Sequence, residues 1–131
     1  MIAPHSVEQI GCIHTCQGLE VDYIGVIVGP DLVVRDGAVV TQPAKRSKHD
    51  KSLGGYKTLL ETDPAAANRK ADLIIKNTYR TLMTRGLKGC YVYFTDPSTA
   101  RFVRDRIASE RSLELLAEVA EPPSAYGSST P

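Results

Sequence analysis

The sequence has 131 residues, a net charge of +1 and 42% hydrophobic residues, which is typical of one soluble globular domain. The near-neutral charge excludes a broadly basic protein, so any surface for nucleic acid must be local. No apolar run approaches the roughly 20 residues that cross a membrane, and the first residues lack the apolar stretch of a secretory leader. With three cysteines, an odd number, we expect free thiols and a cytoplasmic protein.

The first third of the sequence predicts two strands and a hairpin. Residues 10–14 predict a short strand, and residues 15–20 predict a polar turn. Residues 21–28 are nearly continuous in Val and Ile, which is typical of a strand buried on both faces of a parallel sheet. Residues 32–40 predict a hairpin, because an Asp-Gly pair lies between two β-branched runs and favours a type I′ turn.

A long amphipathic helix is the clearest element of the sequence. It follows a predicted loop at residues 41–55 and a short helix at residues 56–61. Asp63 suits the N-cap and Pro64 the first helical position, and Gly86 predicts the helix end. One apolar stripe recurs at spacings of three and four: Ala71, Ile74, Ile75, Thr78, Tyr79, Leu82 and Met83.

Arg85 comes at the end of this helix, on its apolar side. It follows Ile74 by 11 residues, which places it about 20° from Ile74 around the helix axis. An unpaired guanidinium is costly to bury. The position of Arg85 therefore indicates that its charge has a function.

The last third continues the alternation of strands and helices. Residues 90–94 predict a strand and residues 97–111 a helix, which residues 113–119 either continue or follow as a second short helix. Residues 121–131 have the composition of a disordered tail. The whole pattern predicts an α/β domain over residues 1–120, with a mainly parallel sheet and an inserted hairpin. Three core strands are few, so we expect the chain to be part of a larger unit.

Two segments resemble helicase motifs. "IHTCQGLEVDYIGVIVG" (residues 13–29) resembles motif V of superfamily 1 helicases, a strand, a His-x-x-Gln/Lys-Gly-x-Glu turn and a buried strand. "NTYRTLMTRGLKGCYVYF" (residues 77–94) resembles motif VI, a helix ending in Thr-Arg before an apolar strand. The hairpin, "KRSKHDKSLGG" and "TRGLKGCYVY" make the sequence similar, more narrowly, to the Schlafen group 3-like DNA/RNA helicase domain, a domain of unknown function, over about residues 9–96.

The resemblance implies the second RecA-like half-domain of an ATP-driven motor that acts on DNA or RNA. In such motors ATP and Mg²⁺ lie in a cleft between two halves, and the second half supplies an arginine finger and contacts to nucleic acid. This sequence has no G-x-x-x-x-G-K-[ST] phosphate loop. We therefore expect ATP to be bound jointly with an amino-terminal RecA-like domain of a longer parent protein, and these residues alone to be inactive.

The resemblance also implies individual roles at the nucleotide. Arg85 would be the finger, because a fixed guanidinium stabilises the charge that spreads over a transferred phosphoryl group. Gln17, Gly18 and Glu20 would form a nucleotide-binding turn. The backbone at Gly18 would approach a phosphate, and Glu20 would accept hydrogen bonds from a ribose hydroxyl. The plainer alternatives are an Arg favoured by the helix dipole and an ordinary turn with a solvated Glu.

Further residues are candidates for contacts with nucleic acid. By the same resemblance, His14 and Thr15, at the end of the first predicted strand, contact the nucleic-acid backbone. Lys45, Arg46 and Lys48 belong to a local basic run that can hold phosphates. Because no aromatic residues are interleaved with this run, a solvated loop is the simpler interpretation.

Three classes of function remain as hypotheses. The first is half of an ATP-dependent helicase or translocase, and the second is a non-catalytic module that binds nucleic acid or protein and keeps only the helicase fold. The third is a small zinc protein, since Cys12, His14 and Cys16 are zinc-ligand types. A second cysteine pair is missing from the sequence, and we predict no metal site. A phosphate loop elsewhere in the same polypeptide would distinguish the first hypothesis from the second.

Overall fold

The structure is a computed structural model that describes Gly11, Gly18, residues 20–47 and residues 50–120, with side chains described as far as Glu114. Seven helices and strands follow one another in this part of the chain. They are β1 (Val21–Val28), β2 (Leu32–Arg35), β3 (Ala38–Thr41), α1 (Tyr56–Thr62), α2 (Pro64–Met83), β4 (Gly86–Phe94) and α3 (Pro97–Ala120).

A parallel pair of strands, β1 and β4, forms the centre of the fold. Their pairing runs in register from Tyr23 opposite Gly89 to Val28 opposite Phe94. The hairpin, α1 and α2 lie between them in the sequence, because parallel strands need a long crossover connection. The predicted class is confirmed: the chain is α/β, with a parallel sheet and an inserted hairpin, as expected of a RecA-like half-domain.

The predicted hairpin is formed by β2 and β3, which pair antiparallel. Its turn residues, Asp36 and Gly37, have φ angles of 51° and 74°. A type I′ turn requires positive φ at both positions. Glycine adopts this conformation without steric cost, and Asp is one of the few other residues that tolerate it. The Asp-Gly signal in the sequence is therefore confirmed.

The helix α2 covers one face of the parallel pair and begins as predicted. The Asp63 carboxylate accepts a hydrogen bond of 2.9 Å from the amide of Ala66, and Pro64 is the first helical residue. The buried side chains of α2 recur at spacings of three and four: Ala67, Ala71, Ile75 and Thr78. The core is completed by valines of β1 and β2: Val26, Val28, Val33 and Val34.

The junction between α2 and β4 differs from the prediction. The helix ends at Met83, where the hydroxyl of Thr84 donates to two carbonyls of the last turn at 3.0 and 3.1 Å. Gly86 does not cap the helix but begins β4. A Cβ at this position would overlap the carbonyl of Gly89. The strand starts there, before the predicted residue 90, because its first residue pairs with the start of β1.

An exposed ion pair links the hairpin to α3. The guanidinium of Arg35 donates two hydrogen bonds to Asp96, at 2.9 and 3.0 Å, and Asp96 caps α3 by accepting from the amide of Thr99 at 2.8 Å. These hydrogen bonds lower the pKa of Asp96, and the bond from Arg35 is the largest cause. The helix extends to Ala120 and so includes residues 113–119.

The predicted loop between the hairpin and α1 contains two short 3₁₀ turns, Pro43–Lys45 and Lys51–Leu53. The predicted strand at residues 10–14 and the tail at residues 121–131 lie outside the described residues. In the part of the chain that the structure describes, no helix combines the length and the apolar character needed to cross a membrane.

Two leucine-sized side chains on α2 test which face of the helix is buried. Ile75 is 0% exposed and Leu73 is 61% exposed. We expect Ile75→Ala to lower the free energy of unfolding by about 2–5 kcal/mol, because it leaves a cavity in the core. Leu73→Ala should change it by no more than about 0.5 kcal/mol. Urea denaturation measures both values, and equal losses would contradict the described orientation of α2.

Candidate functional site

The starts of β1 and β4 bring Arg85 beside the turn that precedes β1. The amide of Val21 donates a hydrogen bond of 3.1 Å to the carbonyl of Arg85, and Val21 pairs with Gly86. Glu20 immediately precedes Val21 in the chain. Because parallel strands begin at the same edge of a sheet, the segment after motif V's turn and the end of motif VI's helix meet at one edge.

The Arg85 side chain is half-buried at this edge. Its Nε is fully buried and has no hydrogen-bond partner among the described residues. Leaving such a donor unsatisfied costs about 1–3 kcal/mol. The backbone of Arg85 is nevertheless held on both sides, because its amide also donates to the carbonyl of Leu82 at 3.2 Å. A fixed backbone, and a side chain that has no carboxylate partner among the described residues, suit a residue whose terminal guanidinium nitrogens bind an anion.

The turn before β1 contains Gly18, whose φ is 75°. Glycine enters this left-handed region without steric cost. A Cβ at Gly18 would meet no atom of the protein within 4 Å, so it is the backbone conformation, and not packing within the protein, that favours glycine here. Gly18 and Glu20 are both exposed. Gln17 lies outside the described residues, and the nucleotide contacts of this turn stay predictions.

An exposed ion pair joins the two strands near the same edge. The ammonium of Lys88 lies 2.8 Å from the carboxylate of Asp22, and both side chains are 61% exposed. A pair this exposed contributes about 0–1 kcal/mol to stability. It balances the charge of Lys88. Arg85, in contrast, lies at this edge without a carboxylate partner among the residues described.

Arg46, predicted to contact nucleic acid, has its guanidinium inside the fold. Its side chain is 7% exposed. Its Nε donates to Asp50 at 2.8 Å, its Nη1 to Asp31 at 3.0 Å and its Nη2 to Thr78 at 3.2 Å. Because all three nitrogens are engaged, little of the guanidinium is left for a phosphate. We therefore leave Arg46 out of the proposed nucleic-acid surface.

Tyr79 completes this buried network. Its hydroxyl donates to the second carboxylate oxygen of Asp31 at 2.6 Å and accepts from the amide of Gly29 at 3.0 Å. Burial and the hydrogen bond to Asp31 raise the pKa of Tyr79 to about 12. This cluster was not predicted from the sequence. The available signal was a tyrosine in the apolar stripe of α2, because a buried tyrosine hydroxyl needs a partner.

The remaining predicted residues are partly described. Lys45 is exposed at the end of the first 3₁₀ turn. Outside the described residues lie the other predicted contacts and zinc ligands: His14, Thr15, Lys48, Cys12 and Cys16. Within the described ranges, no group of three His, Cys, Asp or Glu side chains has the arrangement of a metal site.

Comparison with known families bears on the two segments that form this edge. The family model "Schlafen group 3, DNA/RNA helicase domain" matches residues 1–96, which include both. The chain belongs to this family. It is also similar to the uncharacterized protein YPL245W of Saccharomyces cerevisiae, with 30% identity over 92 residues, 70% of this chain and 19% of the relative. The chain thus spans less than a quarter of that relative's length. No solved structure matches it.

Replacement of Arg46 tests whether it is part of the fold. We expect Arg46→Ala to lower the free energy of unfolding by about 3–5 kcal/mol, because it leaves the carboxylate of Asp31 buried without its cation. Lys45→Ala removes an exposed charge one residue earlier and should change stability by no more than about 0.5 kcal/mol. Urea denaturation measures both. Equal, small stability changes in the two variants would indicate that Arg46 is exposed in a solvated loop.

The Tyr79 hydroxyl predicts a loss of stability at alkaline pH. Its folded pKa, about 12, is above the ordinary value of about 10, so the folded state holds the proton more tightly. The resulting stabilisation is complete below about pH 10 and is lost as the pH rises through about 12. The free energy of unfolding, measured across this pH range, should therefore fall more steeply for the natural chain than for Tyr79→Phe. Parallel pH profiles would contradict the described hydrogen bond to Asp31.

Proposed function

We propose that the chain is the second RecA-like domain of an ATP-dependent DNA/RNA helicase or translocase. Membership of the helicase-domain family indicates a helicase-like module. The ATP-dependent role is the further step that we propose. The observation that supports this role is the environment of Arg85. Its carbonyl is bonded to the start of β1, and its Nε is buried without a partner among the described residues.

In the proposed reaction, Arg85 stabilises the charge that develops on the γ-phosphoryl group of ATP. The ATP and its Mg²⁺ lie between this domain and an amino-terminal RecA-like domain, which contributes the phosphate loop and the carboxylate for the metal. The guanidinium is effective because its backbone is already fixed by hydrogen bonds of 3.1 and 3.2 Å. A preorganised donor needs no rearrangement when the charge appears.

The turn before β1 is proposed to bind the nucleotide beside Arg85. Gly18 lets a backbone amide approach a phosphate, since no Cβ stands in the way. Glu20 accepts hydrogen bonds from the ribose, and Gln17 completes the turn. The exposure of Gly18 and Glu20 supports this proposal, because both are open to a ligand.

The nucleic acid is proposed to bind next to this turn. His14 and Thr15 donate hydrogen bonds to phosphate oxygens. Lys45, whose loop is bonded to Asp31 at the other end of β1, and Lys48 add charge farther along the nucleic acid, and the effect of this charge falls with salt. One turn would then touch both the nucleotide and the nucleic acid. Because that turn leads into β1 and the amide of Val21 is bonded to the carbonyl of Arg85, a shift of the nucleic acid would reach the backbone of Arg85 through this hydrogen bond.

Replacement of Arg85 in the full natural polypeptide tests this function. We expect Arg85→Ala to reduce the turnover of ATP by about 10³-fold or more and to change the affinity for ATP little. Arg85→Lys should restore little activity, because an ammonium lacks the planar fork of donors. Rates come from a phosphate-release assay in the presence of DNA or RNA.

Arg80→Ala is the matched control. Arg80 is exposed on the same helix, so its loss should leave turnover near the natural rate. If Arg85→Ala turns over ATP as fast as Arg80→Ala, Arg85 is no finger. A natural polypeptide that binds nucleic acid but hydrolyses no ATP would favour the non-catalytic module.

A further inference from the structure

One face of the β1–β4 sheet is exposed in the described part of the chain. On the opposite face, α2 contacts β1, and Val26 and Val28 are buried. The uncovered face carries four large side chains that are exposed by half or more: Tyr23 (57%), Ile27 (51%), Tyr91 (72%) and Tyr93 (67%). We call these four residues the tyrosine face.

Glycines opposite the tyrosines shape this surface. Tyr23 pairs with Gly89, and Gly25 pairs with Tyr91. A Cβ at Gly89 would stand 3.1 Å from the ring of Tyr23, so that ring lies over the glycine. The rings of Tyr23 and Tyr91 are 6.1 Å apart. A Cβ at Gly25 would meet nothing within 4 Å, so the surface above this glycine is open.

The size of the tyrosine face indicates that something covers it. Parallel sheets in α/β proteins are covered by helices on both faces. Side chains of this size and exposure present on the order of 400–500 Å² of surface. An apolar patch of that extent usually marks an interaction site. Single exposed tyrosines would need no such explanation, but these lie together on two paired strands.

The chemistry of the tyrosine face disfavours nucleic acid as the occupant. Bases stack on aromatic rings in proteins that also hold the phosphates with Lys or Arg. None of the four residues of this face is charged. Lys88, earlier on β4, is already paired with Asp22 at 2.8 Å. The face therefore offers stacking without the charge that single-stranded nucleic acid requires.

The dimensions of the face favour a single helix over a second copy of this chain. A stable dimer buries about 800 Å² on each partner, well above what the four residues present. A helix is about 10 Å wide, and two neighbouring strands are about 4.8 Å apart. One helix laid along the strands therefore covers both. The yeast relative, of which this region is 19%, has enough further sequence to include one.

We propose that the tyrosine face docks one amphipathic helix that belongs to the natural polypeptide and lies outside these 131 residues. Its apolar side covers Tyr91 and Tyr93, and a small residue of the helix lies over Gly25. The docking depends on the exposed rings and needs no role for Arg85, so failure of the proposed ATPase function leaves it standing.

Photo-crosslinking in the full natural polypeptide tests the occupant. A benzophenone amino acid replaces Tyr91 or Tyr93, and mass spectrometry maps the attachment points. We expect both positions to attach to one segment outside residues 1–131, at apolar residues three or four positions apart. The matched control is the same probe at Leu113, which is 61% exposed on α3 and should not attach to that segment.

Other crosslinked products would overturn the proposal. Attachment to nucleic acid, to the tyrosine face of a second copy or to any segment within residues 1–131 would assign a different occupant. Yields no higher than those at Leu113 would mean that the face stays in solvent.

Dye binding to the isolated 131 residues gives an independent test. The tyrosine face is then open, and an anilinonaphthalene sulfonate dye should fluoresce on it. The double variant Tyr91→Ser/Tyr93→Ser should reduce that fluorescence several-fold, with unchanged circular dichroism because both residues are exposed. Leu73→Ser, on the exposed side of α2, is the control. Equal fluorescence from the double variant and the natural chain would overturn the proposal.

Discussion

The hydrogen bond from the amide of Val21 to the carbonyl of Arg85 starts the parallel pairing of β1 and β4. Everything at the candidate site depends on that pairing. The turn around Gly18 and the end of α2 are far apart in the sequence, and each alone would be an exposed, unremarkable segment. Once β1 and β4 begin at the same edge, the backbone of Arg85 is bonded to Val21, three residues after the left-handed Gly18. The same pairing creates the tyrosine face on the other side of the strands.

A second set of interactions fixes α2 and the inserted loop around this pair. The guanidinium of Arg46 and the hydroxyl of Tyr79 share the two oxygens of Asp31, and Tyr79 also accepts from Gly29 at the end of β1. A buried ion pair gains stability only when its desolvation is offset by good geometry and further hydrogen bonds. Here these conditions are met, since Asp50 and Thr78 also accept from the guanidinium. The network joins strand, loop and helix where apolar packing alone would leave the loop free.

Local signals in the sequence were enough to predict most of the described fold. The N-cap at Asp63, the apolar spacing of α2 and the Asp-Gly turn each specify their own structure. The start of β4 could not be predicted in this way, because residues 86–89 join the strand only through pairing with β1.

Arg46 shows the same limit at the site. A basic run looks alike in sequence whether it is solvated or buried, and the burial of Arg46 depends on an aspartate 15 positions earlier. The family was recognisable because two motifs occur in order, although neither motif reveals which side chains are engaged within the fold.

The central claim is that Arg85 and the Gly18 turn together form one wall of a nucleotide cleft. The most direct measurement is an experimental structure of the full natural polypeptide with ADP, Mg²⁺ and tetrafluoroaluminate, which mimics the transferring phosphoryl group. The claim predicts that the Arg85 guanidinium contacts the aluminium fluoride and that Glu20 lies against the ribose. A nucleotide bound elsewhere, with Arg85 engaged by a carboxylate of its own polypeptide, would contradict it.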